Sequence, residues 1–275
     1  MRDLSRDTRL LSLNTATIRE QWGLGEAIEG CVRHGIGGIA PWRDQLHVLG
    51  VTEAVKRISD EGLRVSSLCR GGLFTVDDHL NLDDNRRAVD EATALGAECL
   101  VLVVGGLMAG SRDLPEARRR VAEGIAKLLD HARVQGMRLA IEPLHPMYAA
   151  DRGCVNTLRE ALDLCDVLGA GVGVAIDTYH VWWDADLERQ IRRAGQAGRI
   201  FAYHVCDWLV PTEDLLTDRG MPGDGIIDLR RVRGAVEAAG YNGCCEIEIF
   251  SAKNWWRRDP DEVLRICVER FQSVV

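Results

Sequence analysis

Short apolar runs alternate with amphipathic stretches from one end of the chain to the other. Residues 10–17 read as a strand and 25–34 as a helix, and residues 37–41 as a second strand. A helix follows over 52–60, with Ala54, Val55 and Ile58 on one face. Strand three is expected at 64–69, then a helix at 83–95 closed by Gly96 in the position that favours a left-handed residue. Strand four covers 99–104. The helix at 113–134 has Pro115 in its first turn, where a proline is tolerated, and Gly136 as its stop. Strand five spans 138–142, and the next helix, to Leu168, opens on a capping box of Thr157 and Glu160. Strands at 171–177, 200–204 and 245–250 and helices at 187–195, 229–239 and from Asp259 onward complete the pattern.

These are eight β–α units in 275 residues, about 34 residues each. The strands are mostly apolar, as expected where both faces of a parallel strand are covered. Regular alternation over this length predicts a single (β/α)₈ TIM barrel, α/β in class, with residues 1–275 as one domain. A doubly wound nucleotide-binding sheet is disfavoured, because no G-x-G-x-x-G or P-loop follows the first strand.

Composition narrows the function classes. Thirty-four Lys and Arg against 42 Asp and Glu give a net charge of −8, which argues against a nucleic-acid partner. No apolar run reaches the ~18 residues of a membrane helix, and the charged start lacks an apolar signal core, so a cytoplasmic protein is expected. The nine cysteines are scattered without a C-x-x-C pair, which suits reduced core thiols rather than a zinc site.

The candidate chemistry sits at strand ends. In such barrels the active site lies at the C-terminal ends of the strands. Strand five ends on Glu142, strand six on Asp177 and strand seven on His204, and strand eight carries Glu248. Any one of these could be a salt-bridged rim residue. On four consecutive strands they converge, and three carboxylates at one point need a cation between them. An O₃N donor set without thiolate favours one divalent ion, Mn²⁺ first, with Mg²⁺ and Co²⁺ as alternatives and Zn²⁺ less natural. His145 and His180, each three residues beyond a carboxylate, fall on the same face as substrate contacts or as supports for the ligands. All seven tryptophans follow strands, and their faces suit sugar rings, although about half are expected to be core. Trp208, with Asp207 beside it, joins the candidate substrate-binding residues. The connection 209–228 is long enough to be a lid or binding loop.

The chain resembles the sugar phosphate isomerase/epimerase superfamily, the xylose-isomerase-like barrels that include ketose 3-epimerases, inosose dehydratases and endonuclease IV. The similarity covers nearly the whole chain. It is carried by Ile141-Glu142-Pro143, Asp177-Thr178-Tyr179-His180, His204-Val205-Cys206-Asp207, Gly223-Asp224-Gly225 and Gly240-Tyr241-Asn242-Gly243 leading to Glu248-Ile249-Phe250. The resemblance implies Glu142, Asp177, His204 and Glu248 as metal ligands, Glu142 and Glu248 as the acid–base pair, and His180 as a substrate contact. Two departures stand out. Ketose 3-epimerases place an Arg six residues after the strand-seven His, where this chain has Val210. Strands three and four end in Ser67-Leu68-Cys69-Arg70 and Val103-Val104-Gly105-Gly106, without the extra histidines of a trinuclear nuclease. The expected activity is therefore metal-dependent isomerisation or epimerisation of a small carbohydrate by proton transfer next to a carbonyl. The alternative is a metal-dependent lyase or dehydratase on a keto-sugar, keto-inositol or 3-keto-glycoside. Neither a nucleic-acid nor a membrane partner is expected, a homo-oligomer is compatible with the sequence, and no single Arg or Lys cluster marks a phosphate site.

Overall fold

The computed structural model describes residues 2–76 and 78–275; Met1, at the head of the charged start, lies outside them. Its strands are β1 (Leu11–Asn14), β2 (Gly38–Ala40), β3 (Arg64–Val65), β4 (Leu68–Gly72), β5 (Leu100–Val103), β6 (Leu139–Ile141), β7 (Val172–Asp177), β8 (Ile200–Val205), β9 (Asp207–Trp208), β10 (Arg219–Gly220) and β11 (Cys245–Ile247). Nine of them form one parallel sheet in the order β3-β2-β1-β11-β8-β7-β6-β5-β4, a nearly closed barrel with the helices between strands. This is the expected (β/α)₈ architecture, with the third strand position split in two.

The split has a local cause. Residues 64–69 read as one strand, but β3 pairs with β2 and β4 with β5. Between them Ser66 and Ser67 turn their hydroxyls to the Glu246 carboxylate, at 2.7 and 2.9 Å. A buried carboxylate needs such donors, and the ladder gives way to supply them. The first strand is likewise shorter than expected. Asn14 Oδ1 accepts from the backbone N–H of Ala16 and turns the chain into a 3₁₀ helix, Thr15–Ile18. The helix expected from 83 begins earlier, in Asp78–Ala94, and short helices at Arg43–Leu49 and Thr178–Val181 add to those read from periodicity. Where capping residues were legible the ends agree closely: Leu114–Gln135 starts behind Asp113, whose carboxylate accepts from Glu116 N–H, and stops at Gly136 with φ 68°.

Along the strands, alternate positions enter two different environments. Leu11, Leu13, Leu100, Leu102, Leu139, Ile141, Val174, Ile176, Tyr203 and Ile247 belong to the large apolar cluster that includes helix residues such as Ile28, Val121, Leu162 and Ile191. The intervening Cys99, Val101, Ala140, Ala175 and Ala202 form a small separate cluster inside the barrel. Strand side chains alternate between faces, so Glu142, Asp177, His204 and Glu248 all continue the inward series. Small inward residues leave room for them. Among the described residues, no helix is long and apolar enough to cross a membrane.

Candidate active site

Register brings the ligand candidates together. Asp177 on β7 is the direct partner of His204 on β8, and His204 is the partner of Glu246 on β11. Glu142 follows β6, and Glu248 lies two residues beyond Glu246 on the same face. One donor atom from each of Glu142, Asp177, His204 and Glu248 lies within 4.8 Å of the others, and all four residues are buried. This is the only such group among the described residues.

The electrostatics fit a cation. Burial pushes Asp177 up to about 6 and Glu248 up to about 8, with Glu142 adding repulsion to both; Arg219 opposes the shift only in part. Burial alone would lower the His204 imidazole, but Glu246 and Glu142 hold it well above its ordinary value. The group thus has more buried negative charge than the protein's own cations neutralise. His204 Nδ1 lies 3.1 Å from Glu142 Oε1, so this nitrogen faces the carboxylates. Its Nε2 points the other way, 3.4 Å from Glu246 Oε1. A histidine that offers one nitrogen to a metal commonly turns the other to a carboxylate.

Glu246 was not among the residues singled out from the sequence. Its carboxylate receives Asn14 Nδ2 at 2.7 Å besides the two serine hydroxyls, and is held rigidly beneath His204. The signal for it was present, since a residue two before Glu248 on a strand must share its face.

Arg219 is the second addition. Its guanidinium lies 3.1 Å from Asp177 Oδ2 and 3.2 Å from Glu248 Oε2, stacked near the rings of Tyr179 (4.4 Å) and Phe250 (4.9 Å). It arrives on the long connection after β8. That loop is tied down rather than free: β10 pairs antiparallel with β9, and Arg219 N–H donates to Phe250 O. The hydroxyls of Tyr148 and Tyr179 donate to Leu215 O, and Asp207 accepts from the N–H groups of Trp208, Gly223 and Ile227. An arginine is therefore at the site although the position six residues after His204 is Val210, which is exposed.

His180 is buried against this group. The His145 backbone N–H donates to its Nδ1 at 3.1 Å, and its Nε2 lies 3.3 Å from the Arg219 guanidinium and 3.6 Å from Asp177 Oδ2. Burial and the Arg219 charge push this imidazole well below its ordinary value, so it is neutral. A cleft opens above the group, with Glu142, His180, Arg219 and Glu248 among its lining residues and Trp42 and Phe250 as aromatic wall.

His145, Trp208 and Asp207 are not among the residues that line this cleft. His145 stacks on Trp208 at 4.9 Å, and Trp208 packs on Tyr179 and Trp182 at 4.8 and 5.6 Å. Asp207 is occupied with loop N–H groups. Trp42 alone of the seven tryptophans lines the cleft. Trp255 instead donates to Asp224, and Trp256 to Ala16 O.

Comparison with known proteins agrees with this architecture. The family model described as xylose isomerase-like TIM barrel matches residues 28–267. An inosose isomerase from Bacillus velezensis is 25% identical over 96% of this chain and 96% of its own. The crystal structure of a Sinorhizobium meliloti 1021 protein is 60% identical, covers 98% of this chain and 99% of that one, and superposes with a TM-score of 0.96. The IOLI protein, whose crystal structure holds a zinc atom, is 21% identical over 96% of this chain and 97% of that one, with a TM-score of 0.81. With the family pattern matched over most of its length and its strands closed into the corresponding barrel, the chain belongs to the xylose isomerase-like TIM barrel family.

Proposed function

We propose that the protein is a divalent-metal-dependent isomerase or epimerase of a small carbohydrate, acting by proton transfer next to a carbonyl. The observation that carries this reading is the placement of Glu142 and Glu248 in one buried group with Asp177 and His204, at the floor of a cleft with aromatic walls. A cation held by Glu142, Asp177, His204 and Glu248 supplies Lewis acidity toward a carbonyl and an adjacent hydroxyl. Glu142 and Glu248 are the two groups able to take and return a proton, one on each side of the substrate. Return to the other face of the same carbon gives epimerisation, and return to the neighbouring carbon gives isomerisation. His180 stands at the cleft as a substrate contact, and Arg219 orients the Asp177 and Glu248 carboxylates. Trp42 and Phe250 offer an apolar wall to a ring face.

The B. velezensis relative is named for an isomerisation, which supports the reaction class. The oxygen-rich donor set supports Mn²⁺, and the zinc in the IOLI protein makes Zn²⁺ the competing occupant. Nine unpaired thiols support the cytoplasmic setting.

The test is turnover of a panel of ketoses and keto-glycosides in D₂O by metal-loaded protein, followed by NMR. The expected product has unchanged composition and carries deuterium at the carbon next to the carbonyl. Release of water or an aglycone would establish a lyase instead. Full activity after exhaustive chelation would remove the metal from the reading, and elemental analysis separates one manganese per chain from one zinc.

A further inference from the structure

We infer that the cleft contains an anion subsite built from Arg70 and Arg152, so that the substrate carries a carboxylate or phosphate group away from its reacting carbon. This rests on the reading of the cleft as a carbohydrate site. Both arginines line it together with Glu142 and Glu248, although they lie far apart in the chain. Arg70 lies in the middle of β4, and Arg152 sits on the loop after the 3₁₀ helix Pro146–Tyr148.

Neither has an acidic partner, in contrast to Arg219 in the same cleft, which is paired with Asp177 and Glu248. Among the described residues, no carboxylate lies within ion-pair distance of Arg70 or Arg152. Both are half-buried. Burial and the neighbouring Arg152 charge push the Arg70 guanidinium below its ordinary value, so the two cations crowd one another. Two like charges held together in a cleft without a counterion are stabilised by an anion placed between them.

The charge balance of the whole site points the same way. Glu142, Asp177, Glu246 and Glu248 bring four negative charges, which a divalent ion and Arg219 reduce to one. Arg70 and Arg152 then leave an excess of one positive charge, which a neutral sugar leaves uncompensated. The subsite is also preorganised. Arg152 O accepts from Gly105 N–H at 3.1 Å, and Cys154 N–H donates to Gly105 O at 2.9 Å, pinning this loop to the end of β5. The Arg152 guanidinium lies 5.9 Å from the centre of the Tyr148 ring. Guanidinium groups held in this way bind carboxylate and phosphate oxygens with paired hydrogen bonds.

Calorimetric titration of the Mn²⁺-loaded full chain at fixed ionic strength tests this without turnover. The probes are glycerol 3-phosphate against glycerol, and D-gluconate against sorbitol. At least one anion should bind about 10- to 100-fold tighter than its neutral counterpart, the range set by charge-assisted hydrogen bonds. Which anion gains more distinguishes phosphate from carboxylate. The Arg70→Gln, Arg152→Gln double variant should lose the preference while still binding Mn²⁺ and melting cooperatively, and the Arg70→Lys variant should keep part of it. Equal binding of anionic and neutral probes, or a preference that survives in the double variant, overturns the subsite. Deuterium exchange into neutral keto-sugars without any anion preference would sink the subsite alone. Anion binding without exchange into any carbonyl substrate would sink the proposed reaction alone.

Discussion

Arg219 forms ion pairs with two buried carboxylates, Asp177 and Glu248, and its loss exposes how the site is held together. Breaking a buried ion pair from one side costs about 3–5 kcal/mol, because the remaining charges stay desolvated. The Arg219→Gln variant should therefore melt on the order of 10 °C lower, at ~2–4 °C per kcal/mol for a chain of this size class. Mn²⁺ should raise its melting temperature more than it raises that of the native chain, since the ion replaces the missing charge. Equal melting temperatures with and without Arg219 would contradict this account. For the chemical step, Glu142→Gln and Glu248→Gln should each lower kcat by roughly 10²–10⁴-fold, the worth of a positioned acid or base. Steady-state kinetics on the identified substrate check this, and near-normal turnover by Glu248→Gln would rule out a two-carboxylate mechanism. His180→Ala should act mainly on KM, as expected for a contact made equally in ground and transition states.

Helices and strands obey their local signals until packing intervenes. The helix Leu114–Gln135 follows its capping and stop residues closely, yet carries Gly124 in its interior. Helix propensity favours Gly→Ala there by about 1 kcal/mol. The structure reverses that sign: a Cβ at 124 would lie 2.5 Å from Phe74 Cδ1, and the Phe74 ring is itself buried. Overpacking of this kind costs about 1–3 kcal/mol. Gly124→Ala should thus lower the denaturation midpoint in urea, and a raised midpoint would show that Phe74 yields freely. The broken third strand has the same character. Its apolar pattern reads as one run, and the demand of Glu246 for donors divides it.

At the scale of the whole molecule, the charge of −8 and the single candidate ligand group among the described residues lead us to expect no nuclease activity. Phosphate-backbone binding depends on clustered Lys and Arg, and a trinuclear site needs ligands beyond the four that converge here. Duplex DNA with an abasic site should remain intact when incubated with the purified protein and Mn²⁺ or Zn²⁺. Metal-dependent, salt-sensitive nicking on a denaturing gel would overturn this. The Arg70–Arg152 pair is compatible with that outcome, because two guanidiniums inside a cleft serve one small anion and not a duplex.

The barrel and the convergence of Glu142, Asp177, His204 and Glu248 were legible from the chain alone, because both rest on periodic signals. Apolar runs separated by amphipathic stretches dictate alternating strands and helices. A carboxylate or imidazole near the end of four successive strands falls on the catalytic face of a parallel barrel whatever the side-chain details. Arg219, Arg70 and Arg152 carry no such signal. They come from a loop, a distorted strand and another loop, and their convergence depends on how the connections fold over the barrel mouth. Glu246 was half legible: strand alternation puts it on the face of Glu248, but only tertiary packing shows Asn14, Ser66 and Ser67 gathered around it. Trp208, His145 and Asp207 were marked by their positions after strand ends, and the tertiary structure adds their stacking and loop hydrogen bonds. Local sequence determines which way a strand residue faces, and long-range packing alone determines which loop residues a buried charge draws in.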